Sequence, residues 1–231
     1  MLPTEFPPFP ERKDVDLYAF MRPAKEVGGD LYDFFINGEK LYFCIGDVSG
    51  KGVPASIFMA VVRSLFRVAG QQGLSPSEIA LRINNAVAEE NEKLMFITMF
   101  IGMVDLGSGI LHFCNCGHNP PLLLPVDEKS KPEFLSCESN TVIGVIHDFH
   151  FKGQTLPHFR GTPLLLFTDG LNEAENKKHQ EFGNRKIVDT VDKPFVDATK
   201  TVKDLLKANA KHVGDGEPSD DLTMMCLLVK K

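Results

Sequence analysis

The stretch VGGDLYDFFINGEKLYFCIGDVSGKG, residues 27–52, contains a predicted β-hairpin with an aspartate near each end. Its turn is Asn37-Gly38, the dipeptide typical of tight hairpins, and apolar and aromatic runs flank it on both sides. Antiparallel pairing of these runs brings Asp30 and Asp47 to the same open end. Two adjacent carboxylates raise each other's pKa unless a cation lies between them. The stretch therefore predicts a site for a divalent metal ion.

The composition is that of an ordinary globular chain. It has 231 residues, of which 43% are hydrophobic and 24% charged, enough for one large domain. The net charge of −6 and the absence of any Lys/Arg-rich run argue against nucleic acid or an anionic membrane as the main partner. No uninterrupted apolar run reaches the roughly 18 residues of a membrane span, and the N-terminus lacks the regions of a signal peptide. We therefore predict a cytoplasmic protein without a membrane span.

The five cysteines fit a reducing compartment, since their number is odd and most lie in apolar runs. Cys114 and Cys116 form a CxC motif without a second ligand pair at zinc-finger spacing. A soft-metal site stays open here, but buried thiols explain the pattern better.

The pattern of elements predicts an α+β fold. Residues 1–13 are proline-rich and form a predicted extended arm, the end of a linker from a longer protein, whereas residues 14–231 form a predicted single domain. A helix opens at Pro54, and a capping box at Ser75 starts a second helix that runs to about Glu92. Further helices are predicted at residues 183–190 and 196–210, and strands at residues 16–21, 96–105, 110–115, 122–124, 133–135, 149–152, 163–168 and 222–229. Without regular alternation of strands and helices, helices covering antiparallel sheets are favoured.

Acidic residues stand where four predicted strands meet turns. Asp30 and Asp47 flank the hairpin, Asp169 follows the strand at residues 163–168, and Asp220-Asp221 precede the last strand. Carboxylate oxygens from distant parts of a chain are what Mg²⁺ or Mn²⁺ prefers.

Three alternative sites fit less well. Residues 46–51 lack the spacing of a phosphate-binding P-loop. Residues 50–55 match the loose G-x-G-x-x-A dinucleotide fingerprint, but a second capped helix follows where that fold needs a parallel strand. Ser49 and His118 are candidates for nucleophilic catalysis, but no nucleophile elbow occurs, and a histidine in a Gly-Asn-Pro turn is more often structural.

The motifs VGGDLYDF, GDVSGKGVPA, GHNPPLLL, FTDGLNEAEN and SDDLTMMCLLV resemble successive motifs of the PPM-type metal-dependent serine/threonine phosphatases. The resemblance is to the bacterial branch typified by SpoIIE and RsbU, and it runs from about residue 2 to residue 229. It implies a β-sandwich of two antiparallel sheets flanked by helices. The helical pair at residues 54–92 resembles the element that couples metal-site assembly to activation in that branch.

The resemblance also implies a binuclear site for two divalent ions, Mn²⁺ or Mg²⁺. Asp47 would bridge both ions, with the backbone carbonyl of Val48 as a further ligand. Asp30 would bind one ion, whereas Asp169 and Asp220 would bind the other. A supporting role beside Asp220 falls to Asp221. Arg22 and Lys51 are candidates for contact with the substrate phosphate, although Arg22 lacks the spacing of the family's arginine motif and a solvated turn lysine explains Lys51 at least as well.

The function implied is hydrolysis of phosphoserine or phosphothreonine on a regulatory protein, such as an anti-sigma-factor antagonist in bacterial stress signalling. A metal-activated water would attack the phosphorus, so no protein nucleophile is needed. Expected partners are the phosphorylated substrate and an upstream sensory domain or activating regulator, and a homodimer is left open. Two alternatives stand beside this function. One is a non-catalytic or regulator-dependent module that binds a partner protein, and the other is a metal phosphoesterase acting on a small molecule.

Overall fold

The computed structural model describes residues 2–89, 91, 94–216 and 220–231. These residues form two compact units, each assembled from separate segments of the chain. Unit 1 contains Leu2, Lys25–His118 and Ser136–Phe159, and unit 2 contains Pro3–Ala24, Asn119–Leu135 and Arg160–Lys231. In chain order the elements are β1 (Val15–Arg22), β2 (Leu31–Asn37), β3 (Lys40–Val48), α1 (Val53–Gln71), α2 (Pro76–Ala88), β4 (Ile97–Asp105), β5 (Ile110–Cys116), β6 (Leu122–Leu123), β7 (Glu133–Phe134), β8 (Gln154–Leu156), β9 (Leu164–Phe167), α3 (Asp169–Asn172), α4 (Gly183–Val191), α5 (Ala198–Val213) and β10 (Leu222–Val229).

Unit 1 is an antiparallel sheet of five strands in the order β2-β3-β4-β5-β8, with α1 and α2 packed on one face. Beneath α1, the ring centroid of Phe35 lies 5.3 Å from that of Tyr42 and 5.5 Å from that of Phe66. Gly70 allows this approach, because a Cβ there would lie 2.6 Å from the Phe35 ring. These aromatic contacts anchor the helix to the β2–β3 hairpin.

An ion-pair cluster lies within the apolar contact between α1 and the sheet. Asp33 of β2 is fully buried, and Arg67 of α1 binds both of its carboxylate oxygens at 2.6 and 2.7 Å. The Nε atom of Arg63, one turn earlier, lies 3.0 Å from Asp33 Oδ2. Since an unpaired buried charge is very costly, this cluster determines how α1 can sit on the sheet.

The helix α1 is also the one described helix long and apolar enough to cross a membrane, with a mean hydropathy of 1.4. The sequence-based expectation was that no apolar run reaches this length, and by length and composition α1 does reach it. Core helices of globular proteins meet the same criterion. Because Val62 and Phe66 are fully buried in the unit 1 core and both arginines bind Asp33, we assign α1 to that core.

Unit 2 contains the second antiparallel sheet, in the order β1-β10-β9-β6-β7. Its longest pairing joins β1 to β10 over eight residue pairs, from Val15 opposite Val229 to Arg22 opposite Leu222. Helices α3, α4 and α5 contribute Leu171, Ile187, Val202 and Leu205 to an apolar core that includes residues of β9 and β10.

The two antiparallel sheets with their helices confirm the predicted α+β class. The strand predicted at residues 149–152 is wrong, because Phe149 and Phe151 pack against each other and on the unit 1 core, 4.9 Å between ring centroids, without pairing to a strand. The second predicted helix ends at Ala88, before an extended Glu89. Glu92, its predicted end, lies outside the described residues. The division into an arm and one domain stays a prediction.

The Asp33 cluster yields a test of what stabilises unit 1. We expect the double substitution Arg63→Met/Arg67→Met to lower the free energy of unfolding by about 3–5 kcal/mol, because it leaves a buried carboxylate without its cations. Lys152→Met is the control, since it removes a cation from the exposed Lys152–Glu138 pair of the same unit, 3.8 Å apart. That change should cost less than about 1 kcal/mol. Urea denaturation at pH 7 measures both losses, and equal losses would contradict the assigned role.

Candidate functional site

The β2–β3 register brings the first two predicted ligands together. Leu31 pairs with Gly46, so extending the register by one residue puts Asp30 opposite Asp47. Tyr42 and Cys44 of β3 pack toward the helices, and alternation along a strand therefore directs Asp47 to the other face of the sheet. Asp30 is only 1% exposed, while Asp47 is half-buried. Unit 1 thus holds a pair of neighbouring acidic side chains, one of them buried.

Glycines shape the chain around this pair. A Cβ at Gly46 would lie 2.7 Å from the Thr98 carbonyl oxygen, so the residue before Asp47 must be small. Gly29, before Asp30, lies close to the Val48 carbonyl, because a Cβ there would be 3.3 Å from that oxygen. The Val48 side chain is buried, and the backbone then turns through Gly50, with φ at +88°, toward α1.

The start of α1 is bonded to the segment before Asp30. Ser56 Oγ donates to the Gly28 carbonyl at 2.7 Å and also lies 3.1 Å from the Gly52 carbonyl. Lys51 is exposed in the connecting turn. The helix and both aspartates of unit 1 are therefore joined by a short, hydrogen-bonded stretch of backbone.

Unit 2 contains the other two predicted ligands, at the adjacent ends of β9 and β10. Asp169 begins α3 directly after β9, and Asp220 precedes β10. The Thr168 amide donates to the Thr223 carbonyl at 3.0 Å, and the Thr223 amide donates to Thr168 Oγ1 at 3.1 Å. Gly170 lies directly against the backbone of Asp221, since a Cβ at this position would be 1.9 Å from the Asp221 carbonyl oxygen. The glycine of the Asp-Gly motif therefore allows α3 to pack against the start of β10.

Asp221 has a structural bond that the sequence did not reveal. Its Oδ1 atom accepts a hydrogen bond from the Ala24 amide at 2.7 Å. Asp220 Oδ1 in turn accepts from the Asp221 amide at 2.9 Å. Asp221 thus holds the chain that leaves β1, in keeping with a supporting position beside Asp220.

Glu173 is an acidic neighbour that sequence reasoning missed. Desolvation raises its pKa, and the negative charges of Asp169, Glu181 and Asp220 raise it further. The sequence could have indicated Glu173 by its position four residues after Asp169, which is about one helical turn along the chain. Unit 2 therefore collects more negative charge at this point than the predicted ligands alone provide.

Arg22 lines a cavity of about 410 Å³ whose walls include Asp220 and Gly170. Its side chain is exposed, at the end of β1. An exposed guanidinium is suited to binding a phosphate or a carboxylate of a ligand. Arg22 is therefore the phosphate-binding candidate of unit 2.

The two candidates for nucleophilic catalysis have structural bonds. Ser49 Oγ accepts from the Phe96 amide at 2.9 Å. The His118 Nδ1 atom lies 2.9 Å from Thr98 Oγ1, and its backbone is bonded on both sides by the Asn115 side chain. These contacts account for both residues without assigning them a reaction.

The Cys114 and Cys116 sulfur atoms lie 3.7 Å apart within the unit 1 core. Burial raises the pKa of the Cys116 thiol well above its usual value, and the hydrogen bond with Cys114 adds to this. Neutral thiols are poor metal ligands, which agrees with the interpretation as buried thiols.

The donor set fits hard divalent cations. The predicted side-chain ligands are all carboxylates, the oxygen donors that Mg²⁺ and Mn²⁺ prefer, and Asp30 among them is buried. Among the residues that the structure describes, no group of three or more His, Cys, Asp or Glu side chains is arranged to hold an ion.

A family model described as Stage II sporulation protein E (SpoIIE) matches residues 37–230, most of the chain. The chain belongs to the SpoIIE family. Protein IcfG of Synechocystis sp. is 27% identical over 94% of this chain and 38% of its own length. Phosphoserine phosphatase RsbU of Bacillus subtilis is 26% identical over 94% of this chain and 64% of its own length. The chain thus spans less than two thirds of either relative.

Solved structures related to the SpoIIE family show the same fold. The PP2C phosphatase domain of Bacillus subtilis SpoIIE, with a fragment of its regulatory domain, matches with a TM-score of 0.80 and 20% identity, covering 94% of this chain and 63% of that chain. RsbX, solved in complex with magnesium, matches with a TM-score of 0.66 and 17% identity, covering 92% of this chain and 94% of that chain. The expected resemblance to the SpoIIE and RsbU branch is confirmed.

The contact at Gly170 can be tested by adding one methyl group. We expect Gly170→Ala to force α3 away from the Asp221 carbonyl and to lower the free energy of unfolding by about 1–3 kcal/mol. The affinity for Mn²⁺ should fall as well, because Asp169 moves relative to Asp220. Urea denaturation and calorimetric Mn²⁺ titration measure the two effects.

Gly107→Ala is the matched control for this substitution. A Cβ at Gly107 would lie 3.3 Å from Asp105 Oδ1, its nearest neighbour, a contact that a shift of a few tenths of an ångström relieves. A Gly170→Ala protein as stable as the control, with unchanged Mn²⁺ affinity, would contradict the role of the close approach.

Proposed function

We propose that this chain is a metal-dependent protein phosphatase that hydrolyses phosphoserine or phosphothreonine on a regulatory protein. The observation that carries the proposal is the buried Asp30 opposite Asp47, in a chain of the SpoIIE family. A relative named phosphoserine phosphatase, RsbU, aligns over 94% of the chain and supports the reaction class. The magnesium in the RsbX structure supports a hard divalent ion as the cofactor.

In this proposal the metal ligands are the four predicted aspartates and one backbone carbonyl. Asp47 would contact two ions together with the Val48 carbonyl, Asp30 would contact one ion, and Asp169 and Asp220 would contact the other. When bound, two Mn²⁺ or Mg²⁺ ions would supply positive charge for the phosphoryl oxygens and lower the pKa of a water molecule. The residues of this chain hold the carboxylates in register, exclude water around Asp30 and orient the substrate. No protein nucleophile takes part.

The substrate, the signalling pathway and its regulator are proposed by analogy with the relatives. The substrate is a phosphorylated regulatory protein, such as an anti-sigma-factor antagonist, in a cytoplasmic stress-signalling pathway. Because the SpoIIE structure includes a fragment of a regulatory domain, we also propose control by an upstream sensory domain or an activating regulator. The α1 and α2 helices are the proposed coupling element, since Ser56 of α1 is bonded to the Gly28 carbonyl.

Metal dependence is the first test. We expect release of phosphate from a phosphoserine protein with Mn²⁺, its loss with EDTA, and a decrease of roughly 100-fold or more for Asp47→Asn, because a bridging carboxylate loses a charge. Calorimetry should show a matching loss of Mn²⁺ affinity. Asp204→Asn, which removes an exposed carboxylate of α5 paired with Lys200, is the control.

The outcomes separate the alternatives. Activity that survives chelation would exclude the metal mechanism. Mn²⁺ binding without turnover of any phosphoprotein would favour a regulator-dependent or non-catalytic binding module. Turnover of small phosphate esters alone would favour a small-molecule phosphoesterase.

Arg22 gives a second test, directed at phosphate binding. We expect Arg22→Ala to lower kcat/KM about 10- to 100-fold, the loss expected for one charge-assisted hydrogen bond. The decrease should be equal for a phosphoprotein and for para-nitrophenyl phosphate, because both contain the phosphate. Arg22→Lys should recover part of the activity. Arg185→Ala, an exposed arginine of α4 outside this cavity, serves as the control, and a decrease no larger than its effect would exclude Arg22 as a phosphate ligand.

A further inference from the structure

A short basic loop follows α3 in unit 2. We define the lysine loop as residues 176–180, the stretch Asn-Lys-Lys-His-Gln. Glu175 and Glu181 pair across its base as an antiparallel bridge. Inside the loop, Asn176 Oδ1 accepts from the Lys178 amide at 2.8 Å and from the Gln180 amide at 3.2 Å. The loop therefore has a defined, hydrogen-bonded conformation.

The lysine loop is also bonded to the helices beside it. His212 Nε2 of α5 lies 2.8 Å from the Gln180 carbonyl oxygen, and Lys186 Nζ of α4 donates to the Glu181 carbonyl at 3.1 Å. These bonds hold the end of the loop on α4 and α5. Its lysines therefore project from backbone that is already ordered, which reduces the conformational entropy lost when a ligand binds.

The loop lies between two cavities of unit 2. The cavity of about 410 Å³ is lined by Arg22 and Asp220, and also by Asn176, Lys177 and His179 of the loop. A second cavity, of about 370 Å³, is lined by Lys177, Lys178 and Gln180. The lysine loop is thus adjacent both to a predicted metal ligand and to the phosphate-binding candidate.

The charges of the loop are available to a ligand. Lys177 pairs with Asp215 at 3.2 Å, but their side chains are 69% and 94% exposed. Such an exposed pair contributes only about 0–1 kcal/mol, so a carboxylate of a ligand can replace Asp215 at little cost. His179 is bonded to Glu175 at 2.7 Å, so the charges that the loop offers to a ligand are those of the adjacent Lys177 and Lys178. Two neighbouring ammonium groups favour a partner segment that carries carboxylates.

We propose that the lysine loop is the docking site for acidic residues that flank the phosphorylated serine or threonine of the substrate. The proposal rests on the proposed function, since it assigns the substrate-recognition surface of the same site. Lys177 and Lys178 bind carboxylates of the substrate segment while its phosphate lies in the cavity with Arg22 and Asp220. These contacts determine which phosphoprotein is accepted, and they take no part in the hydrolysis itself.

The test compares three substrates of the full chain with Mn²⁺. They are a phosphoserine peptide flanked by aspartates and glutamates, the same peptide flanked by neutral residues, and para-nitrophenyl phosphate. For Lys177→Glu/Lys178→Glu we expect kcat/KM for the acidic peptide to fall about 10-fold, mainly through KM. The other two substrates should lose distinctly less, because they share the phosphate near Lys177 but lack the flanking carboxylates. Raising the salt concentration to about 0.5 M should reduce the preference of the unmodified protein for the acidic peptide.

Two further variants make the comparison specific. Lys203→Glu/Lys207→Glu changes the net charge equally on the exposed side of α5, outside both cavities, and should leave all three substrates unaffected. Lys177→Met/Lys178→Met removes the charges without adding repulsion and should show a smaller loss for the acidic peptide. An equal loss for all three substrates, or an unchanged preference for the acidic peptide, would overturn the docking role.

A binding measurement distinguishes failure of docking from failure of the proposed function. The affinity of the unphosphorylated acidic peptide is measured by fluorescence anisotropy for the same proteins. Charge-dependent binding without turnover of any substrate would support the docking site and contradict the phosphatase proposal. Turnover together with a peptide affinity that is the same with and without Lys177 and Lys178 would overturn the docking site. The phosphatase proposal would stand.

Discussion

The arrangement of unit 1 depends on the antiparallel register of β2 and β3. The turn is Gly38-Glu39, one residue later than the predicted Asn37-Gly38, and it joins Asn37 to its partner Lys40. With Gly38 at a φ of +59°, this turn sets the register at one end of the hairpin. A slip of one residue would turn every side chain of a strand to the opposite face. The same register therefore keeps Phe35 and Tyr42 beneath α1 and keeps Asp30 opposite Asp47 at the far end. Any change in this register would therefore disturb the core packing and the acidic pair together.

The ion pairs of Asp33 add a second constraint on the same hairpin. An apolar surface alone lets a helix slide or rotate at modest cost, whereas a buried carboxylate accepts its cations in only a few positions. Arg63 and Arg67 approach that carboxylate from successive turns of α1. Since α1 begins only a few residues after Val48, its position on the sheet also determines how the backbone leaves Asp47.

Local patterns in the sequence predicted much of this architecture, and they did so where one feature dominates. The Asn37-Gly38 dipeptide, whose predicted turn is only one residue from the observed one, the capping box at Ser75 and the apolar run of β10 each specify an element by themselves. Phe149 and Phe151 misled the prediction, because alternating aromatic residues also result when a loop covers a core. Glu173 lies just beyond a helix of a single turn, too short for a periodic pattern. The Asp33–Arg67 pair joins residues far apart in the chain, so no local pattern contains it.

The position of β10 in unit 2 has a consequence for how the chain folds. This last strand lies between β1, near the start of the chain, and β9, and it pairs with both. During synthesis, β1 therefore cannot pair with β10 until all the residues between Arg22 and Leu222 have been made. Contacts of such sequence separation slow folding and leave an edge open to other chains in the meantime. In unit 1, by contrast, β2 finds its partner β3 across a two-residue turn, so the edge of β1 in unit 2 is exposed for longer than that of β2.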